Sequence, residues 1–86
     1  MVIDLFAERF GRLGFEYADG DVGWVSLSWF GGCRRFTVDC EIFEGLLLFD
    51  FYTDDARIIQ ESLRLGDPGF WVEFEGVVSR VLRWLR

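Results

Sequence analysis

Apolar side chains recur at helical spacing near the N-terminus. Ile3, Phe6, Ala7, Phe10 and Leu13 share one side, and Asp4, Glu8, Arg9 and Arg12 lie away from it. Glu8 stands four residues before Arg12, the favourable order for an ion pair on a helix. Gly14 suits the left-handed stop position, and Phe15 is placed to fold back on Phe10. This spacing predicts a helix that stops at Gly14.

The period then changes to two. Residues 15–52 read as four strands separated by Asp19-Gly20, Gly31-Gly32 and Glu44-Gly45. With Gly31-Gly32 as a two-residue turn, Leu27 faces Phe36, Val25 faces Val38 and Ser26 faces Thr37. With Glu44-Gly45 as the next turn, Val38 meets Phe51, Cys40 meets Phe49 and Ile42 meets Leu47. Both hairpins put the apolar series on one face, which a slip of one residue would scramble. A three-residue loop over 19–21 adds Phe15 and Tyr17 to that face, opposite Val25 and Gly23. The other face then carries Glu16, Trp24, Ser26, Ser28, Phe30, Arg35, Thr37, Asp39, Glu41, Phe43, Leu46, Leu48, Asp50 and Tyr52.

Helical signals return after residue 52. Thr53 or Asp54 can cap a second helix lined by Ile58, Ile59, Ser62 and Leu63, with Arg57 and Glu61 paired at i,i+4 and Gly66 as its end. Asp67-Pro68 opens a third, striped by Phe70, Phe74, Val77, Val81 and Leu85 and widened by Trp71, Val78 and Leu82. The alternative for its start is a fifth strand over 70–74, followed by a shorter helix after Gly76. The expected fold is one α+β domain over residues 1–86: an N-terminal helix, a four-stranded antiparallel meander and two C-terminal helices.

Composition fits a chain this short. Ten Phe, four Trp and two Tyr in 86 residues supply large apolar groups for a domain that can enclose only roughly 60–65% of its unfolded surface. Charge narrows the partners. Fifteen acidic residues face nine arginines, with no Lys and no His, for a net charge of −6. Such a balance disfavours direct nucleic-acid binding and anionic membranes, and suits basic protein surfaces. No apolar run is long enough to span a membrane, and acids occupy the N-terminus where a signal peptide has a basic region, so a cytoplasmic protein with reduced thiols is expected.

Several chemistries drop out on residue type. Without His there is no imidazole base and no Ser-His-Asp or Cys-His arrangement. Without Lys there is no Schiff base and no P-loop cation. Cys33 and Cys40 alone cannot complete a zinc site; seven residues apart on one strand, they also point to opposite faces, against a disulfide. The remaining option is carboxylate chemistry at Asp39 and Asp50, directly opposed in register with Glu41 beside them. A flat face with so few oxygen ligands argues against both a metal site and catalysis. No catalytic residue, metal ligand or cofactor is assigned.

Two surfaces remain for a partner. On the outer sheet face Glu16, Asp39, Glu41 and Asp50 lie among Trp24, Phe43, Leu48 and Tyr52, a mixture suited to ion pairs and to arginine stacking. Whether a helix covers that face is open. On the last helix Trp71 and Trp84 lie off the main stripe and offer homodimer contacts. In size, acidity and lack of active-site residues the chain resembles small phage-encoded inhibitors, including anti-CRISPR proteins, which implies a non-enzymatic module occupying a basic, nucleic-acid-binding surface of a partner. In element order it resembles type III secretion chaperones and YbjN-like proteins, which implies instead a homodimer that holds another protein through apolar surfaces.

Overall fold

The N-terminal stripe folds as expected. In a computed structural model, which describes residues 2–54 and 56–85, helix α1 spans Val2–Gly11 and buries Ile3, Phe6 and Phe10. Gly14 takes φ 104° after it, and Phe15 returns to Phe10 with ring centroids 5.6 Å apart, edge to face. Five strands follow: β1 Glu16–Asp21, β2 Trp24–Gly31, β3 Arg34–Phe43, β4 Leu46–Thr53 and β5 Ala56–Arg64. They form one antiparallel sheet in chain order, and helix α2, Phe70–Leu85, closes the chain.

The α+β class, the N-terminal helix and the antiparallel meander therefore stand, whereas the second predicted helix is a strand. Thr53 pairs with Ala56, and Asp54 after Thr53 takes φ 52°, a conformation that Asp tolerates better than most residues. The helical look of this segment came from a bulge. Phe51 pairs with Ile59 and Tyr52 with Arg57, so Ile58 is an extra residue, and it packs against the core beside Ile59. Two adjacent inward isoleucines imitate helical spacing. The expected Arg57–Glu61 pair is likewise replaced, since Arg57 lies 3.6 Å from Asp50 and Glu61 accepts from Arg80 at 2.7 Å.

Two turns also move. The β2–β3 turn is Gly32-Cys33, with Gly32 at φ 63°, so Leu27 meets Val38, Val25 meets Cys40 and Ser26 meets Asp39. Gly31 is committed elsewhere: a Cβ there would stand 2.0 Å from the Trp29 ring lying over it. Moving a turn by one residue shifts the pairing by two, so every side chain keeps its predicted face. The β1–β2 turn is Val22-Gly23 rather than 19–21, and Ala18 is bulged between the pairs Tyr17–Leu27 and Asp19–Ser26. The β3–β4 hairpin keeps its predicted register throughout. Its turn puts Glu44 at φ 51° before Gly45 at φ 78°. Asn is favoured over Glu in that first position. Glu44→Asn is therefore expected to add about 0.5–1 kcal/mol, read as a higher midpoint in thermal unfolding; an unchanged midpoint would count against strain at Glu44.

Residues 70–74 are helical, not strand. Asp67 Oδ1 accepts from the Gly69 amide at 3.0 Å, and the Asp67 carbonyl accepts from Phe70, so the turn around Pro68 leads into α2. Phe70, Phe74, Val77, Val78 and Val81 of α2 meet Phe6 and Phe10 of α1 over the inner sheet face. Arg9 forks onto both Glu75 oxygens at 2.8 and 2.9 Å, tying the helices together at the surface and holding the Glu75 carboxyl below its ordinary range. Five strands give four gaps of about 4.8 Å, and two helices each about 10 Å across match that width. One side of the sheet is thereby filled, and neither helix reaches the other.

Candidate functional site

The outer face is ordered into rows by the hydrogen-bonded register. Asp19, Ser26, Asp39, Asp50 and Gln60 are successive partners across all five strands. Asp21, Trp24, Glu41, Leu48 and Ser62 form the next row; Glu16, Ser28, Thr37, Tyr52 and Arg57 lie on the other side. These three rows hold six acids and one arginine. All members of the first two rows except Asp21 line a groove of about 500 Å³, which also reaches Glu61.

Of the residues expected to bind a partner, Asp39, Glu41, Asp50, Trp24 and Leu48 come together in this groove. Glu16 and Tyr52 sit in the flanking row, outside its lining, and Phe43 pairs with Leu46 beside the β3–β4 turn, half-exposed. Asp19, Gln60 and Ser62 were not anticipated as part of the site. The bulge at Ala18 turns Asp19 outward, and the bulge at Ile58 precedes Gln60 and Ser62 in a segment that reads as helix. A two-residue period over Ile59, Glu61 and Leu63 is the signal that would have found them.

The floor of the groove is electrostatically unbalanced. Asp39 and Asp50 are directly opposed, and Oδ1 of each is shielded from water without a hydrogen-bond partner. The nearest cation, Arg57, reaches Asp50 Oδ1 at 3.6 Å, beyond hydrogen-bonding range. Loss of water pushes the Asp50 carboxyl above its ordinary range; Arg57 opposes this and Asp39 reinforces it. Glu61 is in register with the inward Phe49 and is held by Arg80 of α2 on the helix side of the sheet. Behind the floor Cys40 is buried, and that burial pushes its thiol well up, keeping it neutral and unreactive. Cys33 is exposed in its turn and also free.

The second expected surface is divided. Trp71 is half-exposed but packs edge-on to Phe70 at 5.0 Å and Phe74 at 5.8 Å, next to α1. Trp84 follows thirteen residues later, which at about 100° per residue turns it roughly 220° around the helix. The two tryptophans therefore lie on different sides of α2 and do not make one continuous contact.

Among the described residues no cluster of three or more His, Cys, Asp or Glu is arranged to hold a metal ion, and no helix is long and apolar enough to cross a membrane. No protein-family model, curated protein or solved structure matches the chain.

Proposed function

We propose that the outer sheet face is a docking surface for a basic protein, and that the chain is a non-enzymatic inhibitor covering a groove its partner otherwise uses for nucleic acid. The observation that carries this reading is a pair of opposed carboxylates beside Trp24 in an acidic groove, each with a shielded Oδ1 that accepts no hydrogen bond. A polar group shielded from water and left without a hydrogen bond costs stability, and a docked guanidinium would supply the missing donors. Trp24 and Leu48 flank the acids and offer an arginine a ring and an aliphatic wall for its stem. With Asp19, Asp21, Glu16, Asp39, Glu41 and Asp50 against Arg35, Arg57 and Arg64 the face stays net negative, which favours a cationic partner over a second copy. In size and acidity the chain fits an anti-CRISPR-like inhibitor acting in the cytoplasm, where Cys33 stays a thiol.

An arginine-rich peptide labelled with a fluorophore tests the face directly. Anisotropy at low salt is expected to show saturable binding that weakens at least about tenfold at high salt. Combined Asp39→Asn, Glu41→Gln and Asp50→Asn should abolish it, and the peptide should release a bound RNA oligonucleotide when the unmodified protein is added. Binding indifferent to both salt and the substitutions would overturn the proposal.

A further inference from the structure

The boundary strand β1 carries a covalent chemistry of its own. We infer that Asp19-Gly20 is a site of spontaneous aspartate isomerisation in the folded protein: the Gly20 nitrogen closes on the Asp19 carboxyl, and an isoaspartyl linkage results. This goes beyond the docking reading and does not depend on it.

Such a reaction needs a carboxyl held against the following nitrogen, an amide not locked in a ladder, and no side chain shielding that nitrogen. Asp19-Gly20 has all of these. The Gly20 amide donates to Asp19 Oδ1 at 2.8 Å in an exposed position, and the carbon it must reach is bonded to that oxygen. β1 has β2 on one side and no strand on the other, and alternate amides of such a strand are free of the ladder. Glycine leaves the nitrogen unshielded. The fold also keeps it glycine, since a Cβ on Gly20 would stand 2.9 Å from Tyr17 Oη and 3.0 Å from the Trp24 carbonyl oxygen.

Other aspartates each lack one requirement. Asp21 Oδ1 accepts from the Val22 amide at the same 2.8 Å, but the β-branched side chain of Val22 crowds the nitrogen. Asp67 precedes Pro68, which has no N–H. Asp39 and Asp50 lie on β3 and β4, each between two strands, where ladder bonds hold the amides that follow them.

The chemistry balances with water alone. From the protonated Asp19 carboxyl, a bond forms between Gly20 N and Asp19 Cγ and the bond from Cγ to its hydroxyl breaks. The amide proton leaves with that hydroxyl as water. The cyclic imide then takes up a water, and opening at the Asp19 main-chain carbonyl leaves a carboxyl on Cα and a chain running through Cβ and Cγ. A main chain lengthened by a carbon puts Gly20 and Asp21 out of step with Val25 and Trp24, and it resets the Asp19 end of the groove.

The full-length protein, aged for weeks at neutral pH and body temperature, tests this without any partner. Trypsin should release residues 13–34 as two species of equal mass, joined by a minor one lighter by a water. Electron-based fragmentation should place the isoaspartate at residue 19 and not at residue 21. Protein isoaspartyl methyltransferase should label the aged protein, and Asp19→Glu, which keeps the charge but closes a larger ring far more slowly, should abolish that labelling. Isoaspartate that forms at residue 19 in urea but not in the folded protein would overturn the inference, as would equal conversion at Asp21 or labelling that survives Asp19→Glu.

Discussion

Replacing Phe74 with alanine is expected to leave the protein largely unfolded near body temperature. Phe74 is 1% exposed, and its ring centre lies 5.0 Å from that of Phe6, 6.0 Å from Phe10 and 6.1 Å from Phe70. It therefore joins both helices in one aromatic cluster, and Phe10 stacks on Phe49 to connect that cluster to the sheet at 5.7 Å. Truncating such a ring removes its transfer free energy and leaves a cavity that rigid neighbours cannot close, about 3–5 kcal/mol. A domain of this length has a total stability of only about 4–13 kcal/mol. The melting midpoint should fall by roughly 15–30 °C, measured by circular dichroism at 222 nm. A fall of only a few degrees would mean that α2 is not docked on α1.

Asp39→Asn should have the opposite sign at neutral pH, raising stability by about 1–2 kcal/mol. The amide donates a hydrogen bond to Asp50, removes the facing charge and leaves the Asp50–Arg57 pair in place. The pH dependence follows from Asp50. Burial raises its carboxyl in the folded state, so the folded protein binds a proton more tightly than the unfolded chain does. Stability therefore falls as pH rises from the unfolded value of aspartate through the raised folded value. The gain from Asp39→Asn should be full above that window and shrink below it, where Asp50 is protonated in both states. Urea melts at pH 7 and at strongly acidic pH check this; a substitution that destabilises at pH 7 would show that the pair is not in conflict. Because the same change is expected to weaken the arginine-rich peptide, stability and docking should move in opposite directions. Groups kept against the interest of stability are commonly found at working surfaces.

The floor of this groove could be read in the sequence because the β3–β4 turn is locally determined. Glu44-Gly45 sets the register, and the apolar partners Val38–Phe51 and Cys40–Phe49 then force Asp39 opposite Asp50. Even the misplaced β2–β3 turn did no harm, since a shift of two residues preserves side-chain direction. What stayed hidden depended on bulges and on a close approach. Ile58 next to Ile59 breaks the alternation of β5, Ala18 breaks that of β1, and Gly31 looks like a turn residue until the Trp29 ring is seen above it. In each case a distant contact, not a local preference, decides the conformation. The walls of the groove contributed by β1 and β5 were lost with them.

Those two extra residues have a second effect, on how the molecule behaves in a crowd. Ala18 and Ile58 interrupt the only two strands of the sheet that have a neighbour on just one side. Without them β1 and β5 would alternate regularly, presenting straight rows of open amides and carbonyls to any passing extended chain. A kink in each boundary strand spoils that template. The protein can thus leave a whole sheet face bare of helices while its margins resist growing into a larger sheet.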